Sequence, residues 1–181
     1  MSKPTLVVVS GPPGAGKTRL AHELARAIAC PAICRDEIKE GMAHATGGAF
    51  VPAAGDALTK RTYPLFFDVL RVLLGGGVTV VAEAAFQDAL WRHGLEPLAG
   101  LAELRVVDCH VDAAVARERI VRRREAAGSS RAAHAETVDV GALESFLSSF
   151  VRLSLTPSLS VDTTDGYRPL LDEIVAFVGS A

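Results

Sequence analysis

Short apolar runs alternate with longer amphipathic stretches along the whole chain. This alternation is typical of βαβ units, in which helices cover both faces of a parallel sheet. Five apolar runs have the length of strands: Thr5–Ser10, Ala32–Arg35, Thr79–Glu83, Arg105–His110 and Ser158–Val161. The pattern therefore predicts an α/β domain with a five-stranded parallel sheet and helices on both faces.

Between these strands, apolar residues recur at helical spacing. Leu20, Leu24 and Ile28 share one face, which predicts a helix over Gly16–Ala29. The other predicted helices are Leu58–Leu74, a helix capped by Asp112 that runs to about Ala127, and Arg168–Val178. Residues 46–55 and 128–137 are rich in small residues and predict mobile loops.

The size and charge of the chain limit its class. Its 181 residues, 49% of them hydrophobic, predict one domain over residues 1–181. A formal net charge of −2 gives no global basic field, so there is no strong indication of a nucleic-acid partner. No stretch approaches the roughly 18 apolar residues of a spanning helix. A cytoplasmic protein with no membrane partner is expected, and its oligomeric state is open.

The three cysteines lie in or beside apolar segments. Cys30, Cys34 and Cys109 form no CxxC pair and no Cys/His set with the spacing of metal ligands. An odd number of cysteines also argues against a secreted disulfide scaffold. We expect them to be small buried hydrophobic residues.

One motif between the first strand and the first helix matches GxxxxGK[ST] in full. It comprises Gly11, Pro12, Pro13, Gly14, Ala15, Gly16, Lys17 and Thr18. Glycines let backbone N–H groups turn inward around phosphate oxygens, and the next helix directs its positive end toward them. Lys17 is expected to reach the β- and γ-phosphates, and the Thr18 hydroxyl to bind Mg²⁺. The motif predicts an ATP site.

Two acids follow predicted strands and are candidates for the chemistry. Asp36 comes directly after the second strand, at the sheet edge that faces the ligand in parallel sheets. It is the candidate general base, and the alternative is that it caps a helix beginning at Glu37. Glu83 ends the third strand and is a candidate for holding Mg²⁺ or orienting the acceptor. Its alternative is an acid placed where a strand emerges into water.

A cluster of arginines follows Asp112. Arg119 and Arg123 are four residues apart, and Arg122 lies near the same helix face. Their guanidinium groups could close over the triphosphate and stabilise the transferring phosphoryl group, which predicts a lid over about 112–137. The alternative is a solvated helix with ion pairs to nearby glutamates.

These motifs together resemble the ATP-binding P-loop kinases labelled AAA_33, which are similar to polynucleotide 5'-hydroxyl kinase, zeta toxins and chloramphenicol phosphotransferase. The resemblance rests on Gly11–Thr18, Arg35–Glu37, Gly77–Glu83, the two lid arginines and Val161–Tyr167. It implies a three-layer P-loop NTPase sandwich with strand order 2-3-1-4-5. It also implies Asp36 as base, Arg119 and Arg123 as phosphate contacts, and a loop near the adenine.

In that loop, Thr163 and Thr164 are implied as nucleotide neighbours. The acceptor is not implied, because the matching residues are those that serve ATP. Loose candidates for acceptor contacts are His44, Lys60, Arg61, Arg92 and His134.

The expected function is a kinase that transfers the γ-phosphoryl group of ATP, with Mg²⁺, to a hydroxyl of a small molecule, a nucleotide-like compound or a nucleic-acid end. Two alternatives stay open at this point. One is a toxin-type or antibiotic-modifying kinase, and the other is an ATP-binding switch with slow hydrolysis. A guanine-reading NKxD motif does not occur in the sequence, which favours ATP over GTP.

Overall fold

The structure, a computed structural model, describes residues 3–47, 56–126 and 149–179. Its five strands are β1 (Thr5–Ser10), β2 (Ala32–Cys34), β3 (Val80–Glu83), β4 (Glu103–His110) and β5 (Ser158–Asp162). They form one parallel sheet in the order β2-β3-β1-β4-β5, as the family resemblance implies.

The helices connect and cover these strands. They are α1 (Lys17–Ala27), α2 (Arg35–His44), α3 (Ala57–Gly75), α4 (Asp88–Leu95), a 3₁₀ helix (Glu96–Gly100), α5 (Ala113–Ala126) and α6 (Leu171–Gly179). Within the described ranges, no helix is both long and apolar enough to cross a bilayer.

Side chains of the sheet alternate between two cores. In β1, Leu6 and Val8 join the core that holds Phe66 of α3 and Trp91 of α4. Val7 and Val9 join the opposite core, which includes Leu20 and Leu24 of α1 and Ile174 of α6. Because successive strand residues point to opposite faces, this sheet needs helices on both sides. The predicted three-layer sandwich is confirmed.

Several predicted element boundaries were wrong, and the last helix begins at Leu171 and not at Arg168. Arg35 is the first residue of α2 and not the end of a strand, so the helix begins two residues before Glu37. Cys34 occupies the N-cap position of α2, so Asp36 lies inside the first turn and does not cap it. The sequence pattern did not identify α4, which has only eight residues and carries Gly94.

The arginine-rich helix begins as predicted. Asp112 Oδ1 accepts hydrogen bonds from the backbone N–H groups of Ala114 and Val115, at 2.8 and 3.3 Å. This satisfies two donors of the first turn of α5. Most of both predicted loops, residues 48–55 and 128–137, lies outside the described residues, as does the lid beyond residue 126.

Candidate nucleotide site

The loop between β1 and α1 approaches its neighbours too closely for side chains. A Cβ on Gly11 would stand 2.3 Å from the Cys109 carbonyl oxygen, and one on Gly14 would stand 2.7 Å from that of Ala116. Both glycines have positive φ, as does Gly16 immediately before α1. Only glycine fits these positions without strain. The close packing leaves the loop backbone as the surface that a phosphate group can approach.

Lys17 and Thr18, at the start of α1, contact Glu83 at the end of β3. The Thr18 hydroxyl donates to Glu83 Oε2 at 3.0 Å, and Lys17 Nζ lies 4.0 Å from Glu83 Oε1. Lys17 Nζ also donates to the Pro12 carbonyl at 2.9 Å. The parallel register places Val9 beside Glu83, so the last residue of β3 lies next to the loop after β1. The hydroxyl and the carboxylate are hard oxygen donors, which fit Mg²⁺.

Glu83 lies in an environment that disfavours its charge. Its side chain is almost fully buried, and this burial raises the pKa of the carboxyl. The Lys17 ammonium opposes the shift, the Asp36 carboxylate adds to it, and the Thr18 hydrogen bond opposes it again. A nearby cation would favour the ionised carboxylate. The exposed-acid interpretation of Glu83 is wrong, because the residue is only 3% exposed.

Asp36 is held close to this group by the sheet register. Cys34 of β2 pairs with Glu83 of β3, so the first turn of α2 begins beside the buried acid. The Asp36 side chain is 57% exposed, and Oδ1 accepts from Arg35 Nη1 at 2.9 Å. Asp36 is therefore accessible to an acceptor molecule while lying close enough to Glu83 to influence its charge.

Arg119 joins α5 to the phosphate loop and to the loop after β5. Its Nη1 donates to the Gly14 carbonyl at 3.3 Å, and its Nη2 donates to the carbonyls of Thr163 and Thr164 at 2.6 and 3.2 Å. Sequence reasoning placed Arg119 over phosphates and did not foresee these carbonyl contacts. Arg123 is half-buried one turn further along α5.

Thr163 and Thr164, which follow β5, form hydrogen bonds with the phosphate loop and with the start of α5. Thr163 Oγ1 donates a hydrogen bond to the Ala15 carbonyl in the phosphate loop, at 3.0 Å. Thr164 Oγ1 accepts from the Asp112 backbone N–H at 3.0 Å. The loop after β5 therefore touches both the phosphate loop and the start of α5, which is consistent with a position beside the nucleotide.

The structure adds no support for the loose acceptor candidates that it describes. His44, Lys60 and Arg61 are exposed on α2 and α3. Arg92 pairs with Asp88 within α4 at 2.8 Å. His134 lies outside the described residues.

Sequence reasoning missed a polar cluster beside this site. His22 of α1, Cys34 of β2 and Glu37 of α2 have side-chain donor atoms within 4.8 Å of one another. Burial raises the pKa of the Cys34 thiol, and the carboxylates of Glu83 and Glu37 raise it further. Only the Cys34-x-x-Glu37 spacing was visible in the sequence, because His22 reaches the cluster through tertiary packing.

The fold and its glycine-rich loop define the class: a P-loop NTPase domain of the kinase type. The chain belongs to the AAA_33 family, whose model, described as an AAA domain, matches residues 6–153. No curated protein matches the sequence.

Several solved structures share the fold. A candidate kinase from Chloroflexus aurantiacus has 26% sequence identity and a TM-score of 0.83, over 98% of this chain and 97% of that chain. A gluconokinase from Sinorhizobium meliloti has 20% identity and a TM-score of 0.61, over 98% and 93% of the two chains. The APS kinase of Mycobacterium tuberculosis, solved with AMPPNP and APS, has 14% identity and a TM-score of 0.65, over 99% and 100%. The last two comparisons concern the fold alone.

Proposed function

We propose that this protein is a Mg²⁺-dependent kinase that transfers the γ-phosphoryl group of ATP to a hydroxyl group. The observation that carries the proposal is the convergence of Lys17, Thr18 and Glu83 at the phosphate loop, with Asp36 at the end of the neighbouring strand. A nucleotide site alone would serve a switch equally well. The accessible carboxylate of Asp36, beside the candidate metal ligand Glu83, adds the general base that transfer to a hydroxyl group needs.

The phosphate loop supplies the nucleotide contacts in this proposal. Backbone N–H groups from Gly14 to Thr18 bind phosphate oxygens at the positive end of α1. Lys17 leaves the Pro12 carbonyl to neutralise the β- and γ-phosphates. Thr18 and Glu83 would hold Mg²⁺, and the ion would supply charge neutralisation when bound.

Asp36 acts as the general base in the transfer step. Its carboxylate accepts the proton of the acceptor hydroxyl while that oxygen forms a bond to the γ-phosphorus. The bond from the γ-phosphorus to the bridging oxygen breaks, and ADP leaves with the electron pair. The large exposed fraction of Asp36 favours this role, because the acceptor must reach it.

The two arginines of α5 take different parts in the proposal. Arg119 already donates to three backbone carbonyls, so it positions the phosphate loop against the loop after β5. Arg123, one turn further along α5, stabilises charge on the transferring group. Thr163 and Thr164 lie near the adenine of the nucleotide.

The acceptor class can be tested directly. Purified protein is incubated with Mg²⁺ and γ-labelled ATP against sugars and sugar acids, adenylylsulfate, nucleosides, 5'-hydroxyl oligonucleotides, aminoglycosides and chloramphenicol. The structural neighbours include a gluconokinase, an APS kinase and an RNA repair complex, which motivates the first acceptors and the oligonucleotides. The proposal expects label on one class of hydroxyl compound.

Asp36→Asn tests the base, and Asp68→Asn is its matched control. Asp68 is 63% exposed and pairs with Arg71 on α3, much as Asp36 pairs with Arg35. We expect Asp36→Asn to lower kcat by about 100-fold or more while ATP still binds, and Asp68→Asn to leave kcat unchanged. If Asp36→Asn retains full turnover, Asp36 is not the base. If ATP binds and label reaches only water, the switch function replaces the kinase.

A further inference from the structure

Three donor atoms of different chemistry converge between α1, the end of β2 and the first turn of α2. His22 Nε2 lies 2.6 Å from Glu37 Oε1 and 3.7 Å from Cys34 Sγ. All three donor atoms lie within 4.8 Å of one another. The elements that carry them are brought together by the fold, and the proposed kinase reaction uses none of these side chains.

The geometry argues against a nucleophilic triad. In a nucleophile–imidazole–acid triad, the nucleophile contacts one ring nitrogen and the acid contacts the other. Here the thiol and the carboxylate both approach the same nitrogen, Nε2 of His22. Three donor atoms that all lie within 4.8 Å of one another are close enough to bind one ion.

The donor set selects the kind of ion. Sulfur, imidazole nitrogen and carboxylate oxygen are the ligands of Zn²⁺, with bond lengths of about 2.3, 2.0 and 2.1 Å. Ligand atoms around a tetrahedral ion with those bonds stand about 3.3 to 3.6 Å apart. The His22–Cys34 separation of 3.7 Å is close to this, and the His22–Glu37 pair needs to open by less than about 1 Å.

We propose that His22, Cys34 and Glu37 bind one zinc-type divalent cation, with water as its fourth ligand. Cys34 is buried, whereas the His22 and Glu37 side chains are 43% and 47% exposed, which leaves a path from solvent. Binding releases the thiol proton to solvent, and the thiolate becomes a ligand.

This site differs in kind from the proposed Mg²⁺ position. There, the candidate ligands are the Thr18 hydroxyl and the Glu83 carboxylate, two oxygen donors that suit a hard ion. A cation bound to Glu37 would also hold the first turn of α2 against α1, next to Asp36. The metal proposal does not depend on kinase activity, because it is tested by binding alone.

The experiment uses chelator-treated full-length protein without an affinity tag. Zn²⁺ binding is measured by titration calorimetry, and Co²⁺ is used as a spectroscopic substitute. We expect one ion per chain and a near-ultraviolet thiolate-to-cobalt absorption band. His22→Gln and Glu37→Gln should each weaken Zn²⁺ binding by at least about 10-fold, and Cys34→Ser should abolish the cobalt band.

Matched controls carry the same side chains outside the cluster. Cys30→Ser and His44→Gln should leave Zn²⁺ affinity and the cobalt band unchanged, since Cys30 is half-buried elsewhere and His44 is exposed at the end of α2. His22→Gln and Glu37→Gln alter half-exposed residues, so they test the proposal even if Cys34→Ser fails to fold. Absence of stoichiometric binding, or binding that His22→Gln and Glu37→Gln leave unchanged, would show an ordinary His–Glu hydrogen bond only.

Discussion

Asp108 is a carboxylate buried inside the sheet. It lies in β4, is 8% exposed, and contacts Arg152 Nη1 through Oδ2 at 3.2 Å. Its other oxygen, Oδ1, is buried without a hydrogen-bond partner among the described residues. Burial raises the pKa of this carboxyl, and the Arg152 guanidinium offsets part of that rise. An incompletely paired buried charge of this kind lowers stability when it ionises.

Ionisation of Asp108 makes the stability of the fold depend on pH. The pKa of Asp108 is higher in the folded protein than the ordinary value of 3.8, so the folded state binds the proton more tightly. Its contribution to stability is present below that ordinary value and is lost as the pH rises through the folded-state pKa. The loss is about 1.4 kcal/mol for each pH unit that separates the two pKa values.

Asp108→Asn removes this titration. We expect the free energy of unfolding of the natural protein, relative to the variant, to fall as the pH rises from about 3.5 to 7. Urea unfolding of both proteins across that range measures the difference. A relative stability that rises with pH would mean that the ion pair with Arg152 outweighs burial.

Single residues were predictable where chemistry is local in sequence. The phosphate loop is eight consecutive residues, so its position between a strand and a helix was evident, and the structure places Lys17 and Thr18 against Glu83. The contacts of Asp108 and His22 were not evident, because they depend on strand register and on how α1 packs beside α2. The catalytic roles of Asp36 and Arg123 stay predictions.

Helix α5 is the described part of the predicted lid, and it is linked to the candidate nucleotide site. Arg119 is its main link, since one guanidinium binds the carbonyls of Gly14, Thr163 and Thr164. A lysine keeps the charge but has no planar fork, so it cannot serve all three acceptors. We expect Arg119→Lys to lower the free energy of unfolding by about 1 to 3 kcal/mol and to weaken ATP binding.

Arg122→Lys is the matched control on the same helix. Arg122 pairs only with Glu118 among the contacts described, and its side chain is 74% exposed. Its replacement should change stability by less than about 0.5 kcal/mol, because exposed ion pairs contribute little. Chemical unfolding measures the stability of the two variants, and ATP titration measures their affinity for ATP. Equal effects of both replacements would contradict a specific positioning role for Arg119.

Long periodic elements were predicted better than short ones. The predicted helix Leu58–Leu74 differs from α3 by one residue at each end, since its apolar stripe spans several turns. The strand starting at Ala32 was extended by one residue, because Arg35 carries no signal that separates a strand end from a helix start. Helix α4 was missed because eight residues with an internal glycine show little periodicity, although Asp88 and Arg92 are four residues apart.

At the scale of the whole molecule, the strand order came from the family resemblance and not from periodicity. Apolar alternation identifies strands but does not order them, because every buried parallel strand presents the same pattern. The order matters for function, since it places β1 between β3 and β4. The phosphate loop after β1 is thereby flanked by Glu83 on one side and by α5, which follows β4, on the other.

Because of this arrangement, we expect nucleotide binding to stabilise the whole fold. A ligand in the loop would lie between elements on both sides of β1, and any ligand that binds only the folded state stabilises it. At 100 times its dissociation constant, a non-hydrolysable ATP analogue with Mg²⁺ should add about 2.7 kcal/mol. For a chain of this size that corresponds to a rise in Tm of roughly 5 to 10 °C.

Lys17→Met separates this effect from nonspecific stabilisation. Lys17 is 9% exposed beside Glu83, so the variant is compared with and without the analogue, and each protein serves as its own reference. Lys3→Met, which changes an exposed lysine near the amino terminus, is the control. We expect the ligand-induced rise in Tm to vanish in Lys17→Met and to persist in Lys3→Met. A rise that survives in Lys17→Met would place the nucleotide away from the phosphate loop, and the proposed chemistry of Asp36 would lose its substrate.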